Sequence, residues 1–209
     1  MKLLASLLLA ACLAAPASAQ SVGSQTTDPA VALAPPPRVL KYRFVPEKSK
    51  ISFELPTTFH LVHGTIESWN GTAETDPERP GVLRSRITFR AESLHTGSAR
   101  RDAVMHDKVL ESSQFPEIVF EGKSYKGDLS AFGPGATVTV DVAGNVLIHG
   151  VSKPLQASIQ CAVLGDHILV AGAVPIHWKQ YGLRNMSTFF NRISDPLTVI
   201  FRLWAVPEN

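Results

Sequence analysis

Between Leu40 and Leu203 apolar residues recur at every second position, and turn-forming residues cut the pattern into short runs. Successive side chains of a strand point to opposite faces, so this period marks segments with one buried and one wet face. Ile51, Phe53 and Leu55 alternate with Ser52 and Glu54, and Ile87 and Phe89 with Arg86, Thr88 and Arg90. Val138, Val140 and Val142 alternate with Thr137, Thr139 and Asp141, and residues 155–163, 168–174 and 197–203 extend the series. The runs are separated by Asp76-Pro77-Glu78-Arg79-Pro80-Gly81, Gly133-Pro134-Gly135, His149-Gly150 and Gly165-Asp166. Connections this short join antiparallel neighbours. The pattern predicts an all-β domain over residues 40–209, with about eight antiparallel strands in a sandwich or a closed barrel. The interior of an eight-stranded barrel is either filled by its own side chains or holds one small ligand. Alternation leaves that choice open.

Two segments interrupt the period. Ala99 to Leu110 has good helix formers, with Ala99, Ala103 and Leu110 on one side and Met105 and Val109 on roughly the other. That predicts a short helix with apolar groups on two sides, as in a lid or plug. The second interruption, Trp178 to Asn191, is aromatic and rich in Asn, Ser and Arg.

Ahead of the domain, residues 1–19 hold one lysine, an apolar run from Leu3 to Ala15, and Ala17-Ser18-Ala19. That is the pattern of a secretory signal peptide cut after Ala19, and it predicts a periplasmic or secreted protein. The apolar run is too short to span a bilayer. Leu9-Ala10-Ala11-Cys12 also resembles a bacterial lipobox, so a lipoprotein anchored through Cys12 is the alternative. Residues 20–39 are small, polar and proline-rich and read as a flexible linker. After cleavage at Ala19 a single cysteine, Cys161, is left among apolar neighbours, which predicts a half-buried strand residue rather than a reactive thiol.

Charge narrows the function classes further. Twenty Lys and Arg against eighteen Asp and Glu leave little net field, and no basic face points to nucleic acid. The run from Arg100 to Glu117 offers His106, Asp102 and Glu111 as an acid/base cluster, with Asp102 and His106 at helical i,i+4 spacing. No Gly-x-Ser-x-Gly elbow accompanies them. The preferred reading is structural: these charges cap a helix, and Arg101 pairs with a buried carboxylate to pin it over the barrel mouth. His60 and His63 stand three apart, which on a strand turns them to opposite faces, and no metal or cofactor site is expected.

Several stretches then fall in a telling order. They are Tyr42-Arg43-Phe44-Val45-Pro46-Glu47-Lys48-Ser49, His63-Gly64-Thr65, Asn70-Gly71-Thr72, and Gly97 with Arg101-Asp102 leading to Phe115-Pro116-Glu117-Ile118-Val119-Phe120. Leu147-Ile148-His149-Gly150-Val151-Ser152-Lys153-Pro154-Leu155 and Tyr181-Gly182-Leu183 complete the set. Together they resemble the YceI-like family of bacterial polyisoprenoid-binding proteins. The resemblance implies a lipocalin-like antiparallel barrel, exported to the periplasm, with a long apolar cavity for an isoprenoid or other amphiphilic lipid. The chain departs from the commoner family pattern at Met105–Glu111 and at Asn185–Arg192.

On that basis Phe53, Phe59, Phe89, Met105, Phe115, Trp178, Phe189 and Phe190 are the expected lipid-binding residues. Arg184, Asn185, Ser187 and Asn191 are the expected head-group contacts. The expected function is non-enzymatic: an exported protein holding a lipid chain for carriage, storage or stress protection, with a homodimer left open. The alternatives are a structural or stress-related barrel without a physiological lipid, and a hydrolase acting on an amphiphile.

Overall fold

The computed structural model describes residues 39–208, apart from Pro77. The leader, Cys12 and the linker up to residue 38 lie outside the described residues.

Strands form where the alternation predicts them. In chain order they are β1 (Leu40–Phe44), β2 (Lys50–Pro56), β3 (Leu61–Ile66), β4 (Trp69–Thr75), β5 (Val82–Arg90) and β6 (Leu94–His95). They continue with β7 (Glu117–Lys126), β8 (Thr137–Ile148), β9 (Val151–Leu164), β10 (His167–Ile176) and β11 (Leu197–Pro207). Eight of them close an antiparallel ring, β1-β4-β5-β7-β8-β9-β10-β11, because the end of β11 pairs with β1. Closure leaves the ring with no free edge.

The three remaining segments are the far halves of bent strands. β1 breaks at the 3-10 turn Pro46–Lys48 and resumes as β2 on the first half of β11. Across the break, Val45 N–H donates to Trp204 O at 2.7 Å and Trp204 N–H donates to the Ser49 hydroxyl at 2.9 Å. A serine side chain thus carries the ladder where the backbone has turned away. β3 and β4 meet at Glu67-Ser68, while β5 and β6 meet at the 3-10 turn Ala91–Ser93. Arg90 N–H to Ser68 O (2.9 Å) and Glu67 N–H to Ser93 O (3.2 Å) keep these two bends paired. Eleven segments therefore act as eight strands, each next to its neighbour in sequence.

The tight turns follow from backbone handedness. His149 (φ 51°) and Gly150 (φ 74°) both occupy the left-handed region between β8 and β9, as a two-residue hairpin turn matched to strand twist requires. Inside the barrel, two glycines accept aromatic rings from the facing strand. Gly64 pairs with Phe53 and Gly172 with Phe201, and each ring lies over the bare backbone of its partner. The alternation of large and bare positions lets rings fit a lumen too narrow for two side chains abreast.

One end of the barrel is plugged. Leu129 and Phe132, in the connection between β7 and β8, pack on Val138, Val140 and Val142 of β8 together with Leu83, Phe120 and Tyr125. The opposite end carries the two segments that break the strand period. α1 (Ala99–Val104) widens into a π-helical turn at Met105–Val109, and a 3-10 turn at Trp178–Tyr181 opens the long connection from β10 to β11. No helix among the described residues is long and apolar enough to cross a membrane.

Candidate functional site

The lidded end is assembled from Thr96 outward. Gly97 (φ 79°) turns the chain out of β6 and into α1. Buried Thr96 is the hub: its N–H (2.8 Å) and hydroxyl both donate to Asp102, while its carbonyl accepts from Arg101 Nη2 at 2.7 Å. Arg101 Nε also donates to the Thr96 hydroxyl at 2.7 Å. Burial pushes the Asp102 carboxyl up, but the hydrogen bonds from Thr96 and the nearby His95 and His106 outweigh it and hold the group below its ordinary range. Arg101 therefore does pin the helix, through a threonine rather than directly through a carboxylate. The hydroxyl reaches both charged side chains at once, whereas the helix turns Arg101 and Asp102 away from each other.

A second latch holds the chain beyond the helix. Glu111 (φ 47°) places its carboxylate 2.7 Å from His149 Nε2, and the Phe115 ring lies 4.2 Å from the His149 ring. The candidate acid/base trio is consequently dispersed. Asp102 is held by Thr96, the His106 ring nitrogen meets Leu94 O at 2.9 Å, and Glu111 serves the β8–β9 turn. Three groups with three separate partners do not converge on one reacting atom.

Beneath these latches the surface is apolar. Phe53, Leu94 and Leu110 are buried together, with Met105, Ile118, Leu183, Leu197 and Val199 against them. Tyr181 packs nearby on Val146, Ile148, Val174 and Ile176, and Leu183, Leu197 and Val199 belong to both groups. The lumen leads from here towards the plug.

Its two sides differ. Along β8 the lumen-facing residues Val138, Val140, Val142, Val146 and Ile148 are buried. Along β9 the facing set, Val151, Leu155, Ala157, Ile159 and Cys161, is only half-buried, as are Val170 on β10 and Val199 and Phe201 on β11. Inward residues that are less completely buried mark the more loosely packed part of the lumen wall. Two depressions among the described residues, about 410 Å³ beside Lys48, His167 and Trp204 and about 330 Å³ over β7–β9, lie on the outer surface. The long chamber implied by the resemblance is not among them, and β9–β11 form only a less closely packed seam of the lumen wall. Cys161 lies on this seam, and burial pushes its thiol up to about 11, far from a nucleophile's range.

The expected lipid-binding residues separate into three groups. Phe53, Phe89 and Met105 face the interior, with Phe89 beside Trp69 near mid-barrel and the other two under the lid. Phe115 and Trp178 belong to the lid's framework: Phe115 covers His149-Gly150, and buried Trp178 donates from Nε1 to Ser194 O at 2.8 Å. Phe59, Phe189 and Phe190 stand outside the barrel, 69%, 87% and 76% exposed, because each sits at the tip of a turn.

The four expected head-group residues share one connection. Arg184 and Asn185 are exposed, Asn185 Oδ1 accepts from Ser187 N–H (2.9 Å), and the Ser187 hydroxyl accepts from Ile193 N–H (2.9 Å). Asn191 Oδ1 is buried without a hydrogen-bond partner among the described residues.

The sequence profile of the YceI-like domain matches residues 42–205, from the first strand to near the end of the last. The chain belongs to the YceI-like family. A UPF0312 protein of Pseudomonas syringae pv. syringae is 30% identical over 98 residues, 46% of this chain and 47% of that one. Protein YceI of Salmonella newport is 26% identical over 112 residues, 52% and 53% of the two chains. The matched region thus spans about half the length of these curated relatives.

Among solved structures, Burkholderia cenocepacia BcnA superposes with a TM-score of 0.67 at 16% identity, covering 77% of this chain and 98% of that one. A polyisoprenoid binding domain from Saccharophagus degradans, implicated in plant cell wall breakdown, gives 0.65 at 20% identity over 81% and 99%. At these identities the likeness establishes the barrel.

Within this YceI-like barrel, sequence reasoning did not assign Thr96, Leu110, Leu183 or Lys153 to the site. Lys153 pairs in register with buried Val146, which puts it on the lumen face between Val151 and Leu155, and it is half-buried. Strand parity in the run from Val151 to Ile159 was the available signal, since a lysine takes the inward place there.

Proposed function

We propose that this protein binds a single lipid chain in the barrel and performs no chemistry on it. The observation that carries the reading is the row of lumen-facing apolar residues on β9–β11, less completely buried than those of β8 in the same closed ring. Each methylene moved from water into such a seam contributes about 0.8 kcal/mol. Roughly fifteen methylenes give about 12 kcal/mol gross, which still leaves micromolar binding after several kcal/mol of ordering and association costs. An apolar tail needs no charged clamp. The dispersal of Asp102, His106 and Glu111 favours binding over hydrolysis.

The tail would enter at the lidded end, between Met105, Leu110 and Leu183, and leave its polar head at the mouth. Lys153 and the unpartnered Asn191 Oδ1 are the groups offered to that head. The similarity to a polyisoprenoid binding domain supports an isoprenoid as the chain type. The signal-peptide pattern of residues 1–19 supports export, which Edman sequencing of the mature N-terminus tests.

Native mass spectrometry of protein purified without detergent tests the reading itself. The expected result is a lipid adduct, lost on organic extraction and restored by adding farnesol. Absence of both the adduct and farnesol uptake leaves a structural barrel instead.

A further inference from the structure

We propose that the mouth of the barrel docks on an anionic phospholipid bilayer through Phe59, Phe189 and Phe190. This rests on the lipid-carrier reading, since a carrier must meet the bilayer from which its cargo comes.

Two turns present these rings, and both are closed by the same bonds. In Thr57–His60 the first N–H donates to the last carbonyl (3.0 Å), and the last N–H donates to the Thr57 hydroxyl (3.3 Å). In Thr188–Asn191 the corresponding bonds are 2.8 Å and 3.0 Å. Each threonine hydroxyl stands in for a backbone acceptor, so the central residues are forced outward. Those residues are Thr58-Phe59 in one turn and Phe189-Phe190 in the other. Turn centres ordinarily carry Gly, Asn, Asp or Pro. Here three of four are not merely apolar but aromatic.

The turns are bound to each other. Thr58 N–H donates to Arg192 O (3.0 Å), Arg192 N–H donates to the Thr58 hydroxyl (2.9 Å), and Thr57 bridges Ile193. The Phe189 and Phe190 rings meet edge to face at 5.1 Å. The result is one hydrogen-bonded tip, flanked in sequence by exposed Leu61 and Met186.

Charge selects the partner. Residues 177–193 contain Lys179, Arg184 and Arg192 and no acidic residue, and residues 57–63 contain two histidines and no acidic residue. The flanking carboxylates lie beside histidines: Glu54 is 3.4 Å from His63, and Asp195 is 3.7 Å from His177. A convex tip of a few rings among cations is small for a stable protein interface, which buries about 800 Å² per partner. It suits the headgroup layer of an anionic membrane, where aromatic rings reach the acyl boundary and each nearby Lys or Arg adds attraction.

Sedimentation with phosphatidylglycerol/phosphatidylethanolamine vesicles tests this on the full mature chain. Wild type is expected to partition onto them, more weakly as salt rises. F189S/F190S is expected to reduce partitioning by about tenfold or more, and Arg184→Gln with Arg192→Gln by a smaller factor. All four positions are exposed, so circular-dichroism melting should match wild type. Equal partitioning of the double serine variant overturns the proposal. So does a concentration-dependent dimer dissolved by F189S/F190S in sedimentation velocity, which would make the tip an interface between copies. Farnesol uptake by delipidated protein separates the two readings. Uptake without vesicle binding removes docking alone, and vesicle binding without uptake removes the carrier.

Discussion

β8 and β9 are hydrogen-bonded neighbours along their whole length, from Thr137↔Ala162 to Ile148↔Val151, yet their inward side chains meet different surroundings. Val138, Val140 and Val142 are buried under Leu129, Phe132 and residues of β5, β7 and β9, whereas Ala157, Ile159 and Cys161 are only half-buried. The two strands have the same pleat, the same register and similar hydrophobicity. What differs is the cover: β8 lies under the plug and the bulky residues of β5 and β7, while β9 and β10 carry small residues and a glycine in the wall itself. Ala157 and Gly172 both fall within the loose wall. Side-chain volume alone thus packs one wall of a barrel of fixed strand number more tightly than the next.

Glycine substitutions should separate the walls most sharply. A Cβ at Gly144 on β8 would run into the backbone carbonyl of Glu121, which the β7–β8 ladder holds in place. At Gly172 a Cβ would meet the Phe201 ring at 2.9 Å, a side chain that can give way where a backbone carbonyl cannot. Gly144→Ala is therefore expected to cost about 3 kcal/mol or more in urea unfolding, and Gly172→Ala about 1 kcal/mol. Equal costs would mean that Phe201 is as confined as backbone, and the looser wall would vanish from the description.

Core volume offers the next contrast. Val140→Ala is expected to lose about 2 kcal/mol, because a sealed site cannot collapse around the missing methyls. Ala157→Leu adds bulk on the neighbouring strand and is expected to change stability by less than about 1 kcal/mol while reducing farnesol uptake severalfold. A loss of about 2 kcal/mol or more for Ala157→Leu would show that the seam is already full.

These contrasts also mark what could be read from the chain. The strands and their antiparallel order were legible, because alternation in Ile51–Leu55 or Val138–Val142 reports a buried face directly, and Gly165-Asp166 or His149-Gly150 announces a reversal. The bends at Pro46–Lys48 and Ala91–Ser93 were hidden, since they preserve pairing through Ser49, Ser68 and Ser93 rather than through a pattern of period two. The site was legible only in part. Phe53 and Phe89 occupy inward strand parity, which sequence records, but Phe59, Phe189 and Phe190 sit in turns, where periodicity says nothing about direction. Thr96 escaped notice because its importance lies in contacts made six residues away, after Gly97 has reversed the chain.

Acid should loosen the lidded end through a single latch, and the effect is the smallest and most local. Asp102 is held below the ordinary carboxylate range, so its contribution is complete above the unfolded value of about 3.9 and is lost as pH falls through the lower folded value. Between pH 5 and 8 this group changes nothing. Under acid, its protonated oxygen is a poorer acceptor for Thr96 N–H, and α1 should exchange its amide protons severalfold faster while β8 stays protected. Asp102→Asn should give that faster exchange already at neutral pH and remove its acid dependence. At the plugged end, Asp76 is also held low, first by the Arg79 side chain at 2.7 Å, so Asp76→Asn should expose the β4–β5 turn without touching α1. If hydrogen-exchange mass spectrometry instead shows α1 and β8 opening together in Asp102→Asn, the lid is not a separable element, and the two walls unfold as one.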